Sequence, residues 1–326
     1  SSLPPKALVY TYRFIITFYC GIWHKKYCMV LMYDGYTIIM HGNLDMYYRQ
    51  ENGEKVQNFL KMHGLGNDFI VVDCRNSDGA DIPGPTQIMA YSDRKTGIGC
   101  DQFIVMVPAK DTKNDCHMLI YNGGDASQVE ACGNATRCVA DILLSESGQR
   151  QVLIETVAGV LSCSRGQGGL VSVDMGVPGL GWQDIPLAAA CDTLHLPLPG
   201  DPVGVNMGNP HCVFLYEQDV EPLDIEALGP SVETDPLFPQ RTNVEFCQVI
   251  DRQTIRMRVW ERGAGITQAC GTGACATLVA AVRRGLVERT CTIKLDGGDL
   301  EISWDETSGH IHMNGPVAYV FKGQLL

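Results

Sequence analysis

The feature that most constrains this chain is that one unit is written in it twice. The loop GNDF at residues 66–69, followed by IVVD, returns as GNPH at residues 208–211, followed by CVFL, so Gly66 and Gly208 stand 142 positions apart. The segment CGNATRCVADILL starting at Cys132 returns 138 positions later as CGTGACATLVAAV starting at Cys270. Between these landmarks, GIGCDQFIVM at residues 97–106 matches RTNVEFCQVI at residues 241–250 in position and in apolar alternation. Self-similarity over so long a period predicts two copies of one folding unit. Each copy reads as strand, loop, strands, Cys-Gly turn and helix, with short alternating strands such as residues 171–175 and 254–259. The fold class expected is therefore α+β in two similar domains. After Cys132, Val139, Ile142 and Leu143 share a helical stripe; after Cys270, Leu278, Val279 and Val282 share another before Gly285 stops the helix. Such apolar helices bury well inside a surrounding sheet. The Gly- and Pro-containing segment GLGWQDIP at residues 179–186 marks the expected domain boundary.

The ends of the chain and its charge narrow the function. Residues 1–58 do not resemble the rest: they hold eight of the twelve tyrosines and six Lys or Arg against four Asp or Glu. They read as an accessory extension and are set apart from the fold. Their most apolar run, residues 7–23, is interrupted by Arg13 and falls short of the roughly 20 residues a spanning helix needs, and it fits neither a secretory signal nor a transit peptide. No membrane partner is expected. The whole chain carries a net charge of −12, which argues against nucleic acid, whose partners present a basic face to phosphate. A small molecule is the expected partner. The fourteen cysteines show no paired CxxC spacing and no short secreted framework, so reduced thiols in a cytoplasm are expected.

Two of those thiols stand apart. Cys132 and Cys270 each occupy the point where a loop becomes a helix, close to backbone N–H groups that the first helical turn leaves unpaired. Those donors and the positive helix end favour a thiolate or an anion. The amides of Gly133 and Asn134, and of Gly271 and Thr272, could hold a substrate carboxylate. A single cysteine at a crowded helix start is ordinarily a small buried hydrophobe; two at equivalent points of a repeat point to chemistry. Related domains packed face to face would put two thiols on opposite sides of one small molecule, as a stereochemical inversion requires. Cys138 and Cys275, and likewise Cys74, Cys116, Cys163, Cys191, Cys212, Cys247 and Cys291, read as core.

Polar loop residues complement this pair. Asn67 and Asn209 occupy the matching Gly-Asn loops and Asn243 lies in RTNVEF; their amides can serve a carboxylate and an ammonium, although an Asn beside Gly also simply makes turns. Glu261 and Arg262, in VWERGAG, would complement the two charges of an amino acid, or form a surface ion pair. Pyridoxal phosphate would need a Schiff-base lysine, and none lies within the paired motifs. Thiolates and imidazole suit zinc, but helical turns point Cys132 away from Cys138 and Cys270 away from Cys275, so no metal or other cofactor is expected. An epimerase or racemase for another amino acid, such as proline, stays open on these residues alone.

Taken together, KMHGLGNDFIVVD, GIGCDQ, ACGNATRC, NMGNPH, RTNVEF, ERGAGITQACGTGACA and NGPVAYVFKG resemble the diaminopimelate epimerases, from about Phe59 to the C-terminus. The resemblance implies two pseudo-symmetric α+β domains, each a mixed sheet wrapped around a central helix, with residues 59–178 joined by 314–326 in one and 179–313 in the other. It implies cofactor-independent interconversion of LL- and meso-2,6-diaminopimelate on the way to lysine and peptidoglycan, in a cytoplasmic homodimer. Cys132 and Cys270 would be the catalytic pair. Asn67, Gln102, Asn122, Asn209, Asn243, Glu261 and Arg262, with the amides at Gly133, Asn134, Gly271 and Thr272, would bind substrate, and His211 and Glu261 would support proton transfer. One departure is visible: the family reads NADGSEVEMCGN, with Asn nine residues before the cysteine, whereas here Asn122 stands ten before Cys132 and Gly123 nine before.

Overall fold

The computed structural model describes residues 28–33, 36–41, 45–50, 57–77 and 81–325. The apolar run at residues 7–23 lies outside them. In one compact unit, Ser1–Asn58 with Gly323–Leu326, strands β1 (Cys28–Tyr33), β2 (Tyr36–His41) and β3 (Asp45–Gln50) pair antiparallel in that order. The other unit, Phe59–Lys322, contains the repeat.

Its first half runs through β4 (Gln57–Gly64), β5 (Asn67–Asp73), α1 (Pro85–Ser92), β6 (Gln102–Val107), β7 (Cys116–Asn122), β8 (Gln128–Val129), α2 (Gly133–Ser147), β9 (Gln151–Thr156), β10 (Gly159–Arg165) and β11 (Val171–Asp174). The second half follows the same order through β12 (Val203–Asn206), β13 (Pro210–Tyr216), α3 (Ile225–Glu233), β14 (Asn243–Asp251), β15 (Thr254–Glu261), β16 (Gly265–Ile266), α4 (Gly271–Arg283), β17 (Thr290–Leu295), β18 (Gly298–Trp304) and β19 (Ile311–Gly315). A last strand, β20 (Ala318–Leu325), lies beside β4, where Phe321 meets Phe59 edge-on at 5.8 Å.

The pairing repeats with the sequence. In the first half β5 runs parallel to β6 and β7 parallel to β9, with antiparallel partners between and beyond; in the second, β13 runs parallel to β14 and β15 to β17. The registers coincide as well: Phe69 faces Gln102 where His211 faces Asn243, and Cys116 faces Ile154 where Thr254 faces Thr292. The halves join through their equivalent final strands, β11 and β19, which pair antiparallel from Val171↔Gly315 to Asp174↔His312.

Helices α2 and α4 sit inside this mixed sheet. Every residue from Asn134 to Leu144 of α2 is buried, and α4 is buried from Gly273 to Ala281, which a helix attains only when structure surrounds it. The small residues of GTGACATLVAAV let sheet strands close round α4. Both helices stop at a glycine: Gly148 caps α2 in the left-handed region at φ 65°, and Gly285, the stop expected for α4, follows its last turn at φ 70°. Cys138, Cys275 and six of the other cysteines expected in the core are buried. Cys191 corrects that expectation: it lies in a loop at the edge of a smaller cluster and is only half-buried, because no strand carries it inward. Among the described residues, no helix is long and apolar enough to cross a membrane.

Candidate active site

Both cysteines of interest are N-caps. Cys132 precedes α2 and Cys270 precedes α4, each with an extended backbone, and the first rungs of the helices run from Thr136 N–H to Cys132 C=O at 2.9 Å and from Ala274 N–H to Cys270 C=O at 3.0 Å. The three amides that follow each cysteine therefore precede the ladder and point out of the helix end. The glycine after each cysteine has a packing cause that the sequence alone does not disclose. A Cβ at Gly133 would come within 2.7 Å of Met313 Cε, and one at Gly271 within 2.9 Å of Met313 Sδ. One buried methionine of β19 thus seats the starts of both helices.

The two ends are also tied to each other. Asn134 donates through Nδ2 to Asn67 Oδ1 at 3.3 Å and to the carbonyl of Ala269, the residue before Cys270, at 3.4 Å. The Cys132 thiol points at the same Asn67 Oδ1, 3.7 Å away, while Asn67 Nδ2 donates to Asp101 at 3.1 Å. The Gly-Asn loops that deliver Asn67 and Asn209 turn through Gly66 at φ 84° and Gly208 at φ 91°, backbone that glycine adopts without strain.

The surroundings of the thiols differ. Burial pushes Cys132 up to about 11; the amides of Ala135 and Asn134 oppose this, Glu261 adds to it, and Arg137 opposes it. Cys270 is raised well above an ordinary thiol by burial and then by Glu261 and Glu245; the Thr272 hydroxyl, 3.6 Å from its sulfur, and the Gly273 amide oppose the rise. Glu261 is itself raised by burial, against hydrogen bonds from Thr267 and Cys270. One carboxylate therefore acts on both sulfurs, raising each. Two protonatable sulfurs beside helix-end amides can exchange protons with a small molecule held there.

Asn209 and His211 of one loop meet: His211 Nε2 lies 2.9 Å from Asn209 Oδ1, and Nδ1 lies 2.6 Å from Glu245 Oε1, with His211 and Glu245 fully buried. Glu245 reaches the Cys270 helix, since a Cβ at Gly273 would lie 2.8 Å from its Oε1 and 3.3 Å from the Cys270 sulfur. Asn243 holds the Pro210 carbonyl at 2.9 Å and accepts from the Arg262 amide at 2.9 Å. Glu261 and Arg262 do not pair: the exposed Arg262 guanidinium donates to Gln240 C=O at 3.1 Å. Gln102 and Asn122 face each other across β6 and β7, beside Asp101; Asn122 donates to Ser127 Oγ at 3.0 Å, and Gln102 Oε1 is buried with no partner among the described residues. Gly123 explains the shifted asparagine, because a Cβ there would lie 2.6 Å from the Cys100 carbonyl, so no side chain fits nine residues before Cys132.

The sequence pattern of the diaminopimelate epimerase family matches residues 59–180 and 203–320, most of the chain. The chain belongs to the diaminopimelate epimerase family. It is 51% identical over 275 residues to the diaminopimelate epimerase of Rhodospirillum centenum, covering 83% of this chain and 92% of that one. It is 51% identical over 265 residues to that of Gluconobacter oxydans, covering 81% and 97%. Among solved structures, a hydroxyproline epimerase from Agrobacterium vitis shares the fold with a TM-score of 0.56 at 16% identity, over 84% of this chain and 93% of that one. The α+β fold of two repeated domains is thus that of the diaminopimelate epimerases and their structural kin.

Three residues around the thiols are absent from the sequence-derived set: Glu245, Thr267 and Arg137. Glu245 had a signal, as a carboxylate on the same face of RTNVEF as Asn243, set between the apolar residues Val244, Phe246 and Cys247. A separate cleft of about 430 Å³, against Lys110, Asn114, His117 and Glu155, contains none of the expected site residues. Among the described residues, no group of three or more His, Cys, Asp or Glu is arranged to hold a metal ion.

Proposed function

We propose that this chain interconverts LL- and meso-2,6-diaminopimelate without a cofactor, using Cys132 and Cys270 as a thiolate–thiol pair. The observation that carries the reading is the equivalence of the two sulfurs: each caps the same helix of a repeated unit, both helices start on Met313, and Glu261 acts on both. One thiolate removes the Cα proton, the electron pair delocalises into the substrate carboxylate held by helix-end amides, and the opposing thiol protonates the other face. The enzyme is left with its thiol and thiolate exchanged, and solvent resets them. Cys132, with Arg137 near it, is the readier thiolate; Cys270, flanked by two carboxylates, is the one that holds its proton more tightly.

Around them, Gly133, Asn134, Gly271 and Thr272 supply amides, while Asn67, Gln102, Asn122, Asn209, Asn243, Glu261 and Arg262 bind the two amino-acid heads. His211 acts through Glu245 and Glu261 on the Cys270 side. The catalytic unit divides into residues 59–178 with 314–326, and 179–313; the place of β20 beside β4 supports that division. Lysine and peptidoglycan precursor synthesis in the cytoplasm would follow from this substrate, and fluorescence of a tagged full-length chain at the cell envelope alone would contradict it.

The deciding experiment is incubation in deuterium oxide with candidate amino acids. Deuterium should enter Cα of diaminopimelate and not of proline or hydroxyproline; exchange into proline alone would overturn the substrate. A homodimer is part of the proposal, supported by the exposed large side chains of β20, Tyr319 and Phe321 on one face and Val320 on the other, which are 51%, 49% and 55% exposed. Sedimentation equilibrium should give twice the chain mass, and a monomer at micromolar concentration would contradict it.

A further inference from the structure

Arg137 lies on α2, one turn beyond its N-terminus, and is fully buried with no carboxylate against it among the described residues. Of the five N–H donors of its guanidinium, one meets Asn134 Oδ1 at 3.0 Å and one meets the weak acceptor Met313 Sδ at 3.4 Å, while Nε is buried with no partner among the described residues. Backbone closes over the group from both halves: a Cβ at Gly64, ending β4, would lie 2.9 Å from Nη2, and one at Gly315, ending β19, 2.9 Å from Nε. A charge buried this way is costly unless something compensates it. Among the described residues no carboxylate touches the guanidinium, and the site beside it gains negative charge whenever a thiol ionises or a carboxylate binds.

We propose that Arg137 is a positioning residue of the thiol site, orienting Asn134 and serving as the buried counter-ion for the negative charge that appears there in turnover. The orientation follows from hydrogen-bond chemistry. Guanidinium has no acceptor, so Asn134 must turn its carbonyl oxygen to Arg137 and its amide nitrogen to Asn67 and to the Ala269 carbonyl. That fixes Asn67 Oδ1 toward the Cys132 thiol and anchors the residue before Cys270. Polarisation by the cation strengthens each bond in this chain. The electrostatic part follows from placement. Cys132 and Cys138 of α2 and Cys275 of α4 feel the guanidinium. Cys132 otherwise faces Glu261 from β15, and Cys270 faces Glu261 and Glu245, so Arg137 is the cation set against these carboxylates.

The proposal rests on the two-thiol reading, and its test is separable from it because alkylation needs no substrate. In Arg137→Met and Arg137→Gln, site-resolved iodoacetamide labelling of Cys132 at pH 8–9 should slow by about tenfold, the loss of thiolate that a one-unit rise in thiol pKa produces. Arg137→Lys, which keeps the charge, should label within about twofold of the parent. In the diaminopimelate assay the neutral variants should lose at least about tenfold in kcat with KM within about threefold, since the charge acts where negative charge develops. Unchanged labelling in folded neutral variants overturns the proposal. So does failure of both neutral variants to fold while Arg137→Lys folds and loses the rate, for then Arg137 serves the fold alone. Inactivity toward diaminopimelate with the labelling shift intact would instead count against the substrate and leave Arg137 in its role.

Discussion

Replacing Cys132 or Cys270 by serine should lower kcat/KM for LL-diaminopimelate by about 10³-fold or more, roughly 4 kcal/mol of transition-state stabilisation. Serine preserves volume and donor capacity but offers an oxygen far harder to ionise than sulfur. The site amplifies that difference, because burial and the carboxylates around Cys270 already raise the thiol well above its usual range and would oppose an alkoxide more strongly still. Each variant removes either the base or the acid in a given direction, so forward and reverse rates should fall together. Cys191→Ser, in a half-buried loop, is the control and should leave the rate unchanged. The measurement is turnover of LL- and meso-substrate by variants whose circular dichroism matches the parent. Near-normal rates in both variants would rule out the two-thiol mechanism.

How far the sequence discloses this site depends on what the repeat preserves. The GNDF/GNPH loops and the Cys-Gly helix starts carry their structure in local chemistry: positive φ at Gly66 and Gly208, and an N-cap at each cysteine. The duplication then fixes which strands pair but not their register: setting GIGCDQFIVM against RTNVEFCQVI aligns Gln102 with Phe246, whereas Gln102 faces Phe69 where Asn243 faces His211. What the repeat does not preserve is harder to read. Phe69 and His211 are equivalent positions, as are Ile104 and Glu245 by register, so the second half places a buried polar pair where the first has apolar core. That asymmetry makes the two thiols unequal. The glycines after the cysteines read as openings for a ligand, yet their tightest neighbour is Met313, more than forty residues from either copy's partner motif in chain order. Arg137 is illegible for a similar reason: nothing in CGNATRC says that its sixth residue is wrapped by Gly64 and Gly315 from two distant strands.

Glu245→Ala should destabilise the fold by about 3 kcal/mol, because removing one member of a fully buried polar pair strands the other. His211 would lose the 2.6 Å partner of its Nδ1 and keep only Asn209, with no water-filled surface to turn to. Urea denaturation at pH 7 reads the loss directly, and a change below about 1 kcal/mol would mean that the pair contributes little beyond packing. Glu245→Gln separates structure from charge. The amide retains the shape and a contact to His211, so the fold should survive, but a carboxylate that raises the Cys270 thiol is gone. Iodoacetamide should therefore label Cys270 faster at pH 8 in Glu245→Gln than in the parent, while Cys132, whose charged neighbours are Glu261 and Arg137, should change less. The sign is opposite to that expected for the neutral Arg137 variants at Cys132. A carboxylate on one side and a guanidinium on the other thus bias two equivalent cysteines apart, one toward holding its proton and one toward releasing it, and equal labelling of both thiols in every variant would show that no such bias exists.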